Sequence, residues 1–195
     1  MKPYSFIFFG LSGSGKGTQA KLLIDYLKNK DKRPVIYLET GAKFREFVTE
    51  VSKTAQMTKQ IMDEGGLLPE FLPIWIWTEY LVKHFSGEEH MVLDGLARRA
   101  HEAPILDSAL RFYQRERPFV ILINVSKKWA IERLLGRGRS DDNVSDIEKR
   151  VNWYYENVLP SVEYFKTNDF YNFIEINGEQ EIEDVFKEII LKTGI

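Results

Sequence analysis

Along the chain, short apolar runs rich in β-branched and aromatic residues alternate with longer stretches in which apolar positions recur at helical spacing. The runs Tyr4–Phe9, Val35–Leu38, Met91–Leu93, Phe119–Val125 and Asn172–Ile176 are predicted strands, continuous enough in apolar character to be buried on both faces. The stretches Lys16–Asn29, Phe71–Phe85, Glu102–Glu116, Lys127–Leu135, Ser145–Lys166 and Ile182–Lys192 are predicted amphipathic helices. Alternation of this kind builds a parallel sheet covered by helices on both faces. The predicted fold class is therefore α/β, a three-layer fold around a five-stranded parallel sheet. In such sheets ligands bind beyond the carboxyl ends of the strands, so the loops after the first three strands matter most.

Two segments depart from simple crossovers. Thr40–Gly65 lies between two strands yet holds two short helical patterns, more than one crossover needs. Pro160 interrupts the Ser145–Lys166 pattern and is expected to kink or break that helix.

Composition narrows the function. At 195 residues the length suits one domain, and Lys plus Arg at 27 against Asp plus Glu at 29 leaves a net charge of −2. That balance argues against a nucleic-acid binder, which would show a basic excess. The chain has no cysteine, which excludes disulfides, thiolate catalysis and cysteine-based zinc sites. The apolar run Phe6–Phe9 is too brief to span a bilayer and no cleavage site follows it, so a cytoplasmic protein with no membrane partner is expected. His84, His90 and His101 show no metal spacing. Arg111, Arg115 and Arg117 are expected to be solvated, and Trp75 and Trp77 to pack in the core or beneath the insert.

The densest chemical signal is Gly10-Leu11-Ser12-Gly13-Ser14-Gly15-Lys16-Gly17-Thr18, between the first predicted strand and the first predicted helix. Glycines let a backbone wrap a phosphate chain with successive N–H groups turned inward. The helix N-terminus adds its positive dipole end, and Lys16 brings a mobile charge to the outer phosphates. Gly13, Ser14, Gly15, Lys16, Gly17 and Thr18 are the expected ATP contacts. The general pattern places Ser or Thr directly after the lysine as a Mg²⁺ ligand. Gly17 stands there instead, so Mg²⁺ is expected to be held by phosphates and ordered waters.

This Gly-Lys-Gly-Thr ending resembles the loop of nucleoside monophosphate kinases, and the resemblance to the adenylate kinase family runs from Phe6 to about Gln180. Thr40-Gly41 followed by Arg45 resembles the opening of that family's monophosphate-binding insert, and Gly66-Leu67-Leu68-Pro69 its closing edge. Leu93-Asp94-Gly95-Leu96-Ala97-Arg98 resembles the family's Asp-Gly-Phe-Pro-Arg. Arg133, Arg137, Arg139-Ser140-Asp141-Asp142 and Arg150 match the lid region, and Asn177-Gly178 with Gln180 the loop beside the donor adenine. The resemblance implies ATP-dependent phosphoryl transfer to a nucleoside monophosphate, with AMP the default acceptor. It places Arg45 and Arg98 on the acceptor α-phosphate, and Arg137, Arg139 and Arg150 with Lys16 around the transferring group. It also places Arg133 over the donor adenine and Asp94 on Mg²⁺ waters. Thr40, Gly66, Leu67, Leu68, Gly95 and Glu102 would complete the acceptor site, with Arg139 and Arg150 reaching it. The expected organisation is a single kinase domain over residues 1–195, with an insert at 40–66 and a minimal lid at 136–142, acting as a monomer.

Three positions depart from the family. Ala97 stands in place of a proline, Ala42 in place of an acidic residue, and Glu102 in place of a glutamine that reads the acceptor base. A carboxylate only accepts hydrogen bonds and so matches the two donors of guanine better than adenine, which keeps GMP open as an alternative acceptor. A nucleotide switch of the GTPase kind is disfavoured, because Asn29-Lys30-Asp31-Lys32 puts its aspartate one position early for the guanine signature. A non-catalytic nucleotide-binding protein would not need so many arginines.

Overall fold

In the computed structural model, which describes residues 2–64, 66–137 and 144–195 (Arg137 by its backbone alone), five strands form one all-parallel sheet. They are β1 Ser5–Phe9, β2 Val35–Glu39, β3 His90–Asp94, β4 Phe119–Asn124 and β5 Asn172–Asn177, in the order β2-β3-β1-β4-β5. The helices among the described residues are α1 Lys16–Asp31, α2 Thr40–Phe47, α3 Lys53–Asp63, α4 Phe71–His84, α5 Ala103–Phe112, α6 Lys127–Arg137, α7 Val144–Trp153, α8 Leu159–Lys166 and α9 Ile182–Thr193.

Burial explains the sheet. Every residue of β1 and β3 is buried, as their unbroken apolar runs require. The edge strands differ from expectation: β2 alternates between buried and half-buried positions, and β5 buries only Ile176. Two apolar layers result. One face packs Ile7, Phe9, Leu93 and Leu122 against Trp77, Leu106 and Phe165. The other packs Phe6, Phe8 and Ile121 against α1 and α9 through Leu23, Leu27 and Ile189.

The two helical patterns of Thr40–Gly65 are α2 and α3, which close with the start of α4 around their own cluster of Phe44, Phe47, Ala55, Leu72 and Ile76. Trp77 is fully buried, whereas Trp75 is partly exposed and meets the Phe47 ring edge-on at 5.0 Å.

Pro160 does not break its helix. The α7 path runs on through a π-helical turn, Tyr154–Val158, directly into α8, where Pro160 sits in the first turn. The wider turn absorbs the missing N–H without a break.

Arg115 is a correction to the surface expectation. It is only 4% exposed and donates to Ser5 Oγ at 2.7 Å and to the carbonyls of Pro3 and Tyr4 at 2.9 and 2.7 Å. Burial pulls its pKa down to about 10. Asp31, the aspartate of the imperfect guanine signature, accepts from His90 Nε2 at 3.1 Å. His90 opens β3, so this pair lies at the sheet's amino end, opposite the phosphate loop. No helix among the described residues is long and apolar enough to cross a membrane.

Candidate active site

The loop between β1 and α1 is shaped by close approach of its backbone to neighbouring elements. Gly10 has φ 147° and Gly13 φ 88°. A Cβ on Gly10 would lie 2.5 Å from the Ile123 carbonyl oxygen, and one on Gly13 2.6 Å from that of Ala130. The loop therefore rests against the end of β4 and against α6 with no room for side chains. Lys16 donates its ammonium to the Gly10 and Leu11 carbonyls at 2.8 and 2.9 Å, crossing the loop. The Ser14 hydroxyl is buried and has no hydrogen-bond partner among the described residues. A buried hydroxyl without a partner costs about 1–3 kcal/mol, and a phosphate oxygen would satisfy it.

Charged groups face this loop from the carboxyl ends of β2 and β3. Glu39 and Asp94 end these strands side by side in register. Asp94 is buried, and burial raises its pKa against the opposing pull of Lys16 and Arg98, with Glu39 adding to the rise. Burial likewise raises the pKa of Tyr37, with help from Asp94 and Glu39. A Cβ built on Gly17 would sit 3.7 Å from Asp94 Oδ2, so the first turn of α1 presents bare backbone to that carboxylate.

Two cations and a hydroxyl complete this side. Glu39 Oε1 accepts from Arg45 Nη2 at 2.9 Å, with Gly41 packed against both side chains. Thr40 opens α2 with a buried hydroxyl that finds no partner among the described residues. Arg98 folds its guanidinium over Gly95, where a Cβ would meet Nη2 at 2.5 Å.

The turn from Gly95 to Glu102 departs from expectation twice. Ala97 is buried in the left-handed region at φ 49°, a conformation closed to proline, and its carbonyl accepts from the Ser161 hydroxyl. The missing proline is thus replaced by a different turn, pinned from α8. Glu102, expected against the acceptor base, is 2% exposed. Its Oε2 accepts from the Arg98 N–H at 3.0 Å, and its Oε1 lies 3.6 Å from Arg99 Nη1. Burial raises its pKa against these donors.

The remaining expected residues lie around this centre. Gly66 closes α3 by donating to the Ile61 carbonyl at 2.8 Å, and Leu67 and Leu68 follow it toward α4, Leu67 exposed and Leu68 packed on the insert cluster. Thr18 bonds the Gly15 carbonyl through its backbone at 3.0 Å as α1 begins. Gln180, just past β5, donates to the Asn177 carbonyl at 2.8 Å and to Glu188 at 2.7 Å. Arg133 stacks its guanidinium 4.8 Å from the centre of the Trp129 ring. Arg150, on α7, donates from Nε to the Asp146 carbonyl at 3.3 Å. The Arg137 side chain, Arg139 and lid positions 138–142 lie outside the described residues. Lys16, Asp94, Arg98, Thr40 and Arg45 thus come together around the ends of β1, β2 and β3, whereas Gln180 and Arg133 stand apart beside β5 and on α6.

Sequence reasoning missed Glu39 and Arg99. Glu39 carried a signal, a carboxylate at the end of an apolar strand, as at Asp94. Arg99 carried none, because a second arginine beside Arg98 reads as a surface residue.

The donor set fits a hydrated Mg²⁺ held mainly by nucleotide phosphates. Asp94 supplies one carboxylate facing bare backbone at Gly17, and no group of three or more acidic or histidine side chains able to hold a metal exists among the described residues.

Comparison with known proteins shows the family. The family model for adenylate kinase matches residues 8–170. An adenylate kinase of Prochlorococcus marinus is 33% identical over 183 residues, covering 94% of each chain. One from Hyphomonas neptunium is 33% identical, covering 95% of each, and one from Oenococcus oeni is 31% identical, covering 91% of this chain and 92% of its own.

Proposed function

Because the chain belongs to the adenylate kinase family, we propose that it transfers the γ-phosphoryl group of ATP to AMP, yielding two ADP. The observation that carries this reading is the facing of two sets of cations and buried hydroxyls across Asp94. The loop with Lys16 and a Ser14 hydroxyl that has no partner among the described residues lies opposite Arg98, Arg45 and a Thr40 hydroxyl likewise without one among them. A single-substrate ATPase has no use for the second set.

In this reading ATP lays its phosphates along the backbone of Gly13, Ser14, Gly15, Gly17 and Thr18. Lys16 exchanges its two loop carbonyls for phosphate oxygens and follows the transferring group. Arg45 leaves Glu39 for the acceptor α-phosphate, joined by Arg98 at Gly95, while Thr40, Gly66, Leu67 and Leu68 border the acceptor nucleoside. Arg150, with Arg137 and Arg139, neutralises the equatorial oxygens; Arg133 and Gln180 lie toward the donor adenine. The acceptor phosphate is already a nucleophile, so the chain's work is alignment, charge neutralisation and exclusion of water. Asp94 would orient the waters of Mg²⁺, and the ion, when bound, neutralises charge on the β- and γ-phosphates.

AMP is favoured over GMP because the Glu102 carboxylate is engaged by the Arg98 N–H and turned toward Arg99, which removes the argument for a guanine-reading carboxylate. One chain suffices in this reading, since donor-side and acceptor-side residues all come from it, so we propose a monomer; a cytoplasmic location is proposed with it. A coupled ADP-release assay over AMP, GMP, CMP and UMP tests the assignment. AMP should give the highest kcat/KM, and ATP hydrolysis unchanged by every acceptor would refute it.

A further inference from the structure

Arg99 reaches two parts of the chain remote in sequence and a carboxylate three residues on, and its side chain is 14% exposed. Its Nη2 donates to the Leu68 carbonyl at 3.1 Å, where the insert ends and the chain turns into α4. Its Nη1 lies 3.6 Å from Glu102 Oε1, while Glu102 Oε2 holds the Arg98 N–H. Its guanidinium carbon stands 5.7 Å from the centre of the Trp153 ring. Trp153 is the last residue of α7, three positions after Arg150.

We infer that Arg99 is a positioning residue that ties the closing edge of the acceptor insert, the Arg98 backbone and the helix carrying Arg150 to one cation–carboxylate pair. The inference rests on the phosphoryl-transfer reading and adds a residue to it. A guanidinium suits the task. Its planar fork donates in two directions while its face packs on an aromatic ring, which a lysine ammonium does not reproduce. The pairing also accounts for the carboxylate at position 102. One oxygen accepts from the Arg98 N–H and the other faces the Arg99 cation, whereas a glutamine would present its NH₂ to either a backbone N–H or a guanidinium, donor against donor. The departure at Glu102 is therefore matched to Arg99 and not to the acceptor base.

The test is steady-state kinetics with ATP and AMP, with folding checked by circular dichroism and thermal melting. Arg99→Met keeps the unbranched stem and removes the donors; it should raise the AMP KM about tenfold while the ATP KM stays within about twofold. Arg99→Lys, the milder change, should raise the AMP KM several-fold, and it decides the matter alone if Arg99→Met does not fold. Glu102→Gln should raise the AMP KM with the AMP-to-GMP preference unchanged, and its effect should not add to that of Arg99→Met, because the two act as one unit. An unchanged AMP KM in the folded arginine variants, or an ATP KM rising in parallel, would overturn the inference. So would a Glu102→Gln enzyme whose preference shifts between AMP and GMP, because that assigns Glu102 to the base. Failure of the function itself appears separately, as wild-type protein that forms no ADP from ATP and AMP.

Discussion

Ala97 stands where the family resemblance would place a proline, and its backbone conformation decides whether a proline fits. At φ 49° and fully buried, Ala97 lies in a region that costs a non-glycine residue about 1–2 kcal/mol and that a proline ring cannot reach. Restoring the family proline should therefore damage the protein. Ala97→Pro is expected to lower unfolding free energy by about 3 kcal/mol or more and to impair AMP use by displacing Arg98. Ala97→Gly should be neutral or stabilising by up to about 1 kcal/mol. Urea midpoints of the two variants decide this, and a proline variant as stable as wild type would contradict the turn described here. Lys16 is the complementary case, a residue whose contacts serve chemistry more than folding. Its bonds to the Gly10 and Leu11 carbonyls are part-buried and replaceable by water, so Lys16→Met should melt close to wild type. Its turnover should fall roughly a thousandfold, since the charge that follows the transferring group is gone. Near-normal turnover by a folded Lys16→Met enzyme would remove the proposed role.

Elements need their ends satisfied, and the junction between α4 and β3 shows how. The chain turns through Ser86 and Gly87, and buried Glu89 accepts from the Ser86 N–H at 3.0 Å, the Gly87 N–H at 3.0 Å and the Ser86 hydroxyl at 2.5 Å. Burial alone would raise the Glu89 pKa, but these hydrogen bonds outweigh it and the net shift is downward. A carboxyl depressed on folding contributes stability that is present above its unfolded pKa and lost as pH falls through its folded pKa. Glu89→Gln should therefore destabilise the protein by about 1–2 kcal/mol at neutral pH, and the gap to wild type should close as pH drops below the ordinary carboxylate range. Denaturant unfolding of both proteins from pH 7 to pH 3 measures it; a gap independent of pH would show that the charge plays no part. The α7-to-α8 passage makes a related point. A proline predicts trouble for a helix, but how the trouble is resolved depends on neighbours. Here the π-helical turn buries Tyr154 and Val158 and leads into α8, from which buried Ser161 reaches Ala97.

At the scale of the whole molecule, the reading requires motion. Arg45 on the insert is paired with Glu39, and Lys16 is folded onto its own loop, so both cations must change partners when nucleotides enter. An analogue joining two adenosines through five phosphates spans both halves and recruits both cations at once. It should bind far more tightly than ATP or AMP alone, by at least two orders of magnitude. It should also slow hydrogen exchange in both 40–64 and 144–153. Calorimetry and exchange mass spectrometry report these outcomes, and an analogue that binds no better than ATP would leave no second nucleotide site.

Local chemistry made much of this legible from the chain alone. Short unbroken apolar runs bounded by turn residues suit strands buried in a parallel sheet, and the glycine-rich turn with Lys16 between a strand and a helix has the pattern expected of a phosphate cradle. The five strands and the extra helices of the insert follow from patterns within a few residues of each position, whereas the grouping of Lys16, Asp94, Arg98 and Arg45 was expected only from the family resemblance. What depended on partners distant in sequence was decided only in three dimensions. Arg115 became a buried tie to the amino end of β1, Glu102 turned to Arg98 and Arg99, and Ala97 took a conformation held by Ser161 of α8. The half-covered edge strands belong with them, because a strand's place in the sheet is set by which neighbours pair with it. A charged or small residue carries no mark of its partner; burial and hydrogen-bonding are supplied by whatever the fold brings alongside.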